Sequence, residues 1–280
     1  MAKMFIRENV ICCGADVKEV SLVPCTGNML HRGRRAKKEK LSAPKQQRLN
    51  DRNSRKYFIQ LLNTNFGDGD YHISCTYNDD MLPSSVEEGE KNINNFLRRL
   101  KARYERAGKE LKYMLTTSFR TGKTDGKPVR MHHHIVVNGD IPAIDIIRAW
   151  ATKVDGKMRW FGYCNVDPLQ TFGDGLTALA VYLAKQPRES LARRWKASQN
   201  LKKPIRLAPD DYRHAPETVE QLAAERFDED TVRYFEKKYP GWTVGKPYKY
   251  NYYATDANYM GWSIYVRLVR RRDRQKNKPR

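Results

Sequence analysis

The sequence predicts an α+β fold, and three observations carry that prediction. Short alternating runs rich in β-branched residues recur at 71–77, 111–119, 131–138 and 158–166. Two segments with helical spacing, 84–107 and 141–154, fall between the first and second runs and between the third and fourth. No long apolar segment interrupts this order. Read along the chain it is β-α-β-β-α-β, the ferredoxin-like arrangement: a four-stranded antiparallel sheet with both helices on one face and the first and third strands inside.

Each element has its own signature. "YHISCTY" (71–77) alternates. In the next segment Ser84 and Glu87 have capping-box spacing, Ile93, Phe96, Leu97, Leu100 and Tyr104 recur at helical intervals, and Gly108 ends the run. "LKYMLTTSF" is the second strand, and a basic turn leads into "MHHHIVVN", the third. In "IPAIDIIRAWATKV" Ile144, Ile147, Ala151 and Val154 share one face and Pro142 suits a first turn, so 141–154 reads as a helix. "MRWFGYCNV" is the fourth strand. "LTALAVYLAKQ" (176–186) adds one more helix, which stops at Pro187.

The flanks differ in character. "VICCGADVKEVSLVP" reads as a hairpin or edge strand around Gly14. Residues 32–56 are dense in Lys and Arg and poor in core residues, the composition of a linker or phosphate-contacting arm. After 207 come expected helices at 216–226 and 228–238, a Tyr-rich segment and the tail "RRRDRQKNKPR". The expected organisation is therefore 1–56 as hairpin and arm, 57–206 as the central domain, and 207–280 as a C-terminal extension.

Charge narrows the partner class. The 280 residues hold 53 Lys plus Arg against 32 Asp plus Glu, a net charge of +21. That excess favours polyanions, nucleic acid before an anionic membrane surface. No apolar run reaches the roughly 18 residues a membrane span needs, and "MAKMFIRENV" lacks a signal-peptide core. The five cysteines show no CxxC spacing and read as reduced thiols of a cytosolic protein.

Half of the six histidines stand together in "RMHHHIVVNG", residues 130–139. Side chains alternate along a strand, so His132, His134 and Val136 share one face, with alternate residues spaced about 6.6–6.8 Å apart. His133, Ile135 and Val137 share the other, which the two helices cover. Two imidazoles on one rigid inner strand suit a shared divalent ion; a cluster with no ligand role is the other reading. On the added helix Leu176, Leu179, Ala180 and Leu183 form the core face and Tyr182 lies at its rim, with Lys185 three residues on. A Tyr beside an ammonium suits a nucleophile; a Tyr packed at a helix edge is the alternative.

Together these motifs resemble the HUH endonucleases of rolling-circle replication. More narrowly, "HHHIVVNG", "YLAKQ", "RRWKASQNLKKP" and "NTNFGDGDYHISCTY" look like the replication-associated initiators of phages and plasmids of Gram-positive bacteria. The resemblance covers residues 8–206. It implies an HUH fold with His132 and His134 as ligands of Mn²⁺ or Mg²⁺, Tyr182 as the nucleophile and Lys185 as its companion. Gln186 stands where the two-tyrosine class could carry a second Tyr, so a one-tyrosine enzyme is implied. The family often has a Glu as third ligand, where Ser118 falls here; Asp125 and His72 are the other candidates. The implied reaction nicks and rejoins single-stranded or locally melted origin DNA through a 5′-phosphotyrosine, with host helicase and polymerase as partners in a bacterial cytosol. No GxxxxGK[ST] occurs, so no intrinsic helicase is expected.

Phosphate contacts are expected from Arg34, Arg35, Lys37 and Lys38 of the arm, and from Arg120, Lys123 and Arg130 around the central turn. Arg193, Arg194, Lys202 and Lys203 follow the added helix, and Arg270, Arg271 and Arg272 lie in the tail. The tyrosines of 248–259 suit either base stacking or strand packing. The rival function is a non-catalytic nucleic-acid binder with an RRM-like sheet, although the aromatic strand such modules use is not found. A conjugative relaxase and a nuclease without a covalent intermediate are the other rivals.

Overall fold

A computed structural model describes residues 4–26, 44–120, 129–171, 175–186, 195–224, 229–245, 250–256 and 259–271. Its elements, in chain order, begin with β1 (Met4–Cys13), β2 (Val17–Thr26), α1 (Pro44–Asn65), β3 (Tyr71–Cys75), α2 (Val86–Arg106), β4 (Tyr113–Arg120) and β5 (Val129–Val137). Next come α3 (Ala143–Ile147), β6 (Ala151–Val154), β7 (Lys157–Trp160), β8 (Cys164–Pro168), α4 (Thr177–Ala184), β9 (Lys196–Ala197) and β10 (Ile205–Arg206). The last are α5 (Pro216–Ala224), α6 (Glu229–Lys238), β11 (Trp242–Val244), β12 (Tyr250–Asp256) and β13 (Tyr259–Arg270). The fold is α+β with antiparallel sheets. Among the described residues, no helix is long and apolar enough to cross a membrane.

The chain divides into two compact units. One comprises 48–172 and 176–202; the other comprises 1–47, 173–175 and 203–280. In the first, the sheet order is β8-β3-β5-β4-β9 and all pairings are antiparallel. The histidine strand β5 and β3 are thus inner strands. Alternation sends Ile135 and Val137 to a core built with Ile93, Phe96, Leu100 and Tyr104 of α2 and Ile146 of α3. Val136, pointing the other way, packs with Met114, with Phe58, Leu61 and Leu62 of α1, and with Leu176, Ala180 and Leu183 of α4. Helices therefore cover both faces, as a strand apolar on both sides requires.

Four expectations are corrected here. Residues 44–56 are not a linker but the first half of α1. Their polar side chains hide a helix whose C-terminal half carries Phe58, Leu61 and Leu62 at i, i+3, i+4. The helix expected over 141–154 is a single short one, α3. Residues 151–154 instead pair with 157–160 as a hairpin. Asp155 and Gly156 turn it, with φ of 50° and 77°, the backbone that an Asp-Gly type I′ turn requires. The fourth strand accordingly splits into β7 and β8. At the start of α2 the cap sits one residue later than expected: the Ser85 hydroxyl accepts from the Glu88 amide, and the Glu88 carboxylate accepts from the Ser84 amide and hydroxyl at 2.8 Å each.

In the second unit β1 and β2, ten residues each, form a hairpin turned at Gly14 (φ 73°). Its sheet order is β10-β1-β2-β13-β11, with β12 on β13. The segments read separately as N-terminal and C-terminal extensions thus share one sheet, joined along β2 and β13. Ile6, Val10, Val20, Leu22, Ile264, Val266 and Leu268 pack there against Val219 and Leu222 of α5 and Phe235 of α6.

Candidate active site

The histidine triplet divides its work by strand alternation. His133 is fully buried on the α2 side, 2.8 Å from the Tyr77 hydroxyl and 2.9 Å from that of Thr117. Both ring nitrogens are occupied, and burial, followed by the charges of His132 and His134, pushes its pKa down to about 3. It is a core residue held neutral. His132 and His134 face the other side, their rings 5.1 Å apart. Antiparallel pairing places Ser118 of β4 opposite His132, and Thr116 of β4 and Ser74 of β3 opposite His134. His72, opposite Val136, joins the same face.

Hydrogen bonding fixes what these rings can present. The His132 Nδ1 lies 2.9 Å from the Arg130 carbonyl oxygen. That oxygen only accepts, so Nδ1 donates and Nε2 is the nitrogen left to face a ligand. The His134 Nδ1 lies 3.2 Å from both His72 Nε2 and Ser74 Oγ. His134 Nε2 is buried and has no hydrogen-bond partner, as is the hydroxyl of its register neighbour Thr116. Buried polar atoms without partners are uncommon and call for an explanation. Burial, then the charges of His72 and His132, pushes the His134 pKa down to about 4, so the ring is neutral, as a metal ligand must be.

The helix that carries Tyr182 is tied at both ends. At the N-terminal end Asn63 of α1 accepts from the Leu176 amide at 2.9 Å and donates to the Thr177 hydroxyl at 3.4 Å. At the other end the Ser118 hydroxyl donates to the Gln186 side-chain oxygen at 2.8 Å. Leu176, Ala180 and Leu183 are buried between, and Tyr182, one residue from Leu183, is 53% exposed. The Tyr182 and His134 rings meet at 76° with centroids 5.6 Å apart. Two histidines and a tyrosine separated by 48 residues of sequence thus share one patch of sheet. Lys185 is the exposed C-cap of the same helix.

These residues fit a divalent ion in donor type: two imidazoles, one with a buried nitrogen that no described residue satisfies. Among the described residues no set of three His, Cys, Asp or Glu side chains is placed to hold an ion. Of the candidate third ligands, His72 turns its Nε2 to His134, Ser118 is bonded to Gln186, and Asp125 lies outside the described residues. Sequence reasoning missed Ser74, Asn63 and Thr116. Their roles arise from register and from α1, which no local pattern near the histidines reveals.

The proposed phosphate contacts are spread unevenly. Arg130 is bound to Asp79 at 2.6 Å and to the Tyr77 carbonyl at 2.8 Å. Arg270 lies over Trp242, and Arg271 pairs with Glu236. Lys202 and Lys203 are exposed, and Arg120 ends β4. Arg34, Arg35, Lys37, Lys38, Lys123, Arg193, Arg194 and Arg272 lie outside the described residues. Comparison with protein-family models, with curated proteins and with solved structures returned no match for this chain.

Proposed function

We propose that the chain is a metal-dependent endonuclease and strand transferase. It nicks single-stranded origin DNA through a 5′-phosphotyrosine and so starts rolling-circle replication. One observation carries the reading: the Tyr182 ring stands 5.6 Å from His134, on the sheet face that His134 shares with His132. The strand order β8-β3-β5-β4 supports it, since the first and third strands of the expected ferredoxin-like βαββαβ unit are the inner ones. So does the resemblance of "HHHIVVNG" and "YLAKQ" to the HUH endonucleases.

His132 and His134 would hold Mn²⁺ or Mg²⁺ through their Nε2 atoms, imidazole favouring Mn²⁺. The bound ion supplies Lewis-acid polarisation of a non-bridging phosphate oxygen. Tyr182 gives up its proton and its oxygen attacks phosphorus; the bond from phosphorus to the 3′ oxygen breaks, and that oxygen leaves as a 3′-hydroxyl. A host polymerase extends this hydroxyl on template that a host helicase opens. The phosphotyrosine conserves the phosphodiester, so the displaced strand is rejoined without ATP. Lys185 offsets charge on the phenolate. Tyr182 is 53% exposed, which suits a side chain that must reach DNA.

The test is a covalent one. The full chain with Mn²⁺ and labelled single-stranded origin oligonucleotides is expected to give a denaturant-resistant adduct, which Tyr182→Phe abolishes while DNA binding survives. An undiminished adduct in that variant removes Tyr182 from the chemistry.

A further inference from the structure

The contact between His72 Nε2 and His134 Nδ1, 3.2 Å, needs one donor and one acceptor. Its direction decides what His134 offers the site. If His134 donates from Nδ1, its Nε2 holds a lone pair. If His72 donates, Nε2 of His134 becomes an N–H that is buried and has no acceptor. The surroundings of His134 select between them: a proton on Nδ1 meets His72 Nε2 at 3.2 Å, whereas a proton on the buried Nε2 would meet no acceptor among the described residues. The two rings are also stacked, 5.3 Å apart and 17° from parallel, which limits rotation of either.

We propose that His72 is a positioning residue: it accepts the Nδ1–H of His134 and so holds His134 Nε2 as the lone pair that faces the ion. The proposal rests on His132 and His134 being the metal ligands. It assigns His72 to the support of a ligand rather than to the third ligand position. Hydrogen bonds of this kind fix the tautomer and orientation of a metal-binding imidazole. The Ser74 hydroxyl, also 3.2 Å from His134 Nδ1, donates as readily as it accepts, so it does not fix the tautomer alone.

The experiment uses the full chain and two readouts. With only six histidines, long-range proton–nitrogen NMR of the metal-free protein labelled at histidine resolves each tautomer. His134 is expected in the Nδ1–H form, shifting to Nε2–H in His72→Phe and staying Nδ1–H in His72→Gln, whose amide oxygen still accepts. Mn²⁺ titration followed by calorimetry is expected to show affinity about 10- to 100-fold weaker in His72→Phe and within a few-fold of the parent in His72→Gln. An Nε2–H His134 in the unaltered protein overturns the proposal, as does unchanged Mn²⁺ affinity in His72→Phe. In both cases the ligand assignment stands if His132→Ala still abolishes binding. If the unaltered protein binds no Mn²⁺, or binds it equally well without His132, the ligand assignment falls and this proposal with it.

Discussion

His214 and His134 are almost equally buried, at 4% and 6% exposure, yet they end differently. His214 is enclosed by partners. Its Nε2 donates to Glu8 Oε1 at 2.7 Å and its Nδ1 lies 2.6 Å from the Tyr234 hydroxyl. Glu8 also accepts from Tyr239 and from Arg213. Every polar atom of that imidazole is paired within the protein, as a polar group kept for stability must be. His134 has its Nδ1 paired and its Nε2 left over. The first arrangement is complete in itself. The second leaves one buried nitrogen without a partner among the described residues.

The largest effect should come from exchanging the open histidine for an apolar side chain. His134→Leu is expected to lower metal-dependent cleavage roughly a thousand-fold, the scale of several kcal/mol of metal assistance. Its unfolding free energy should fall by no more than about 1–3 kcal/mol, because the unpaired Nε2 leaves with the ring while His72 Nε2 and Ser74 Oγ lose one partner. A large loss of stability, seen by urea unfolding, would break the contrast. His214→Ala is expected to show the reverse. It strands the Glu8 carboxylate and costs about 2–5 kcal/mol, with Mn²⁺ affinity unchanged by calorimetry.

A pH series sharpens the same comparison. Burial alone would raise the Glu8 pKa, but hydrogen bonds from His214 and Tyr239, with the charges of His214 and Arg213, outweigh it and hold the carboxyl below its usual range. The unfolded chain then takes up the proton first as pH falls. The stability Glu8 contributes is present above the ordinary carboxyl value of about 4.3 and is lost as pH drops through the folded value. Glu8→Gln should therefore be less stable at neutral pH and show a flatter acid limb in thermal unfolding. The smallest effect is expected at the tether of the helix that carries Tyr182. Gln186→Ala releases Ser118 and should reduce adduct formation about ten-fold through misplacement of Tyr182, with little change in Tm.

Much of the fold was legible because its signals are local. Ile93, Phe96, Leu97, Leu100 and Tyr104 mark α2 without help from any neighbour, and all are buried as that spacing implies. The hairpin at 151–160 was also within reach, since Asp155-Gly156 is a strong turn signal; the apolar spacing of Ile144, Ile147, Ala151 and Val154 masked it. α1 was harder. Its first half is polar, and its apolar stripe acquires meaning only against Val136 and Met114, which lie far away in sequence.

By itself the sequence determined that His132 and His134 point one way and His133 the other, and that Tyr182 sits at the rim of an apolar helix face. Periods of two and 3.6 residues settle such questions within a single element. Only the tertiary structure decided that these rims meet, that Asn63 and Ser118 anchor the tyrosine helix, and that His72 and Ser74 stand behind His134. Strand register and helix docking are chosen by packing among distant segments, and no pattern inside one segment encodes which distant atom will lie 3.2 Å away.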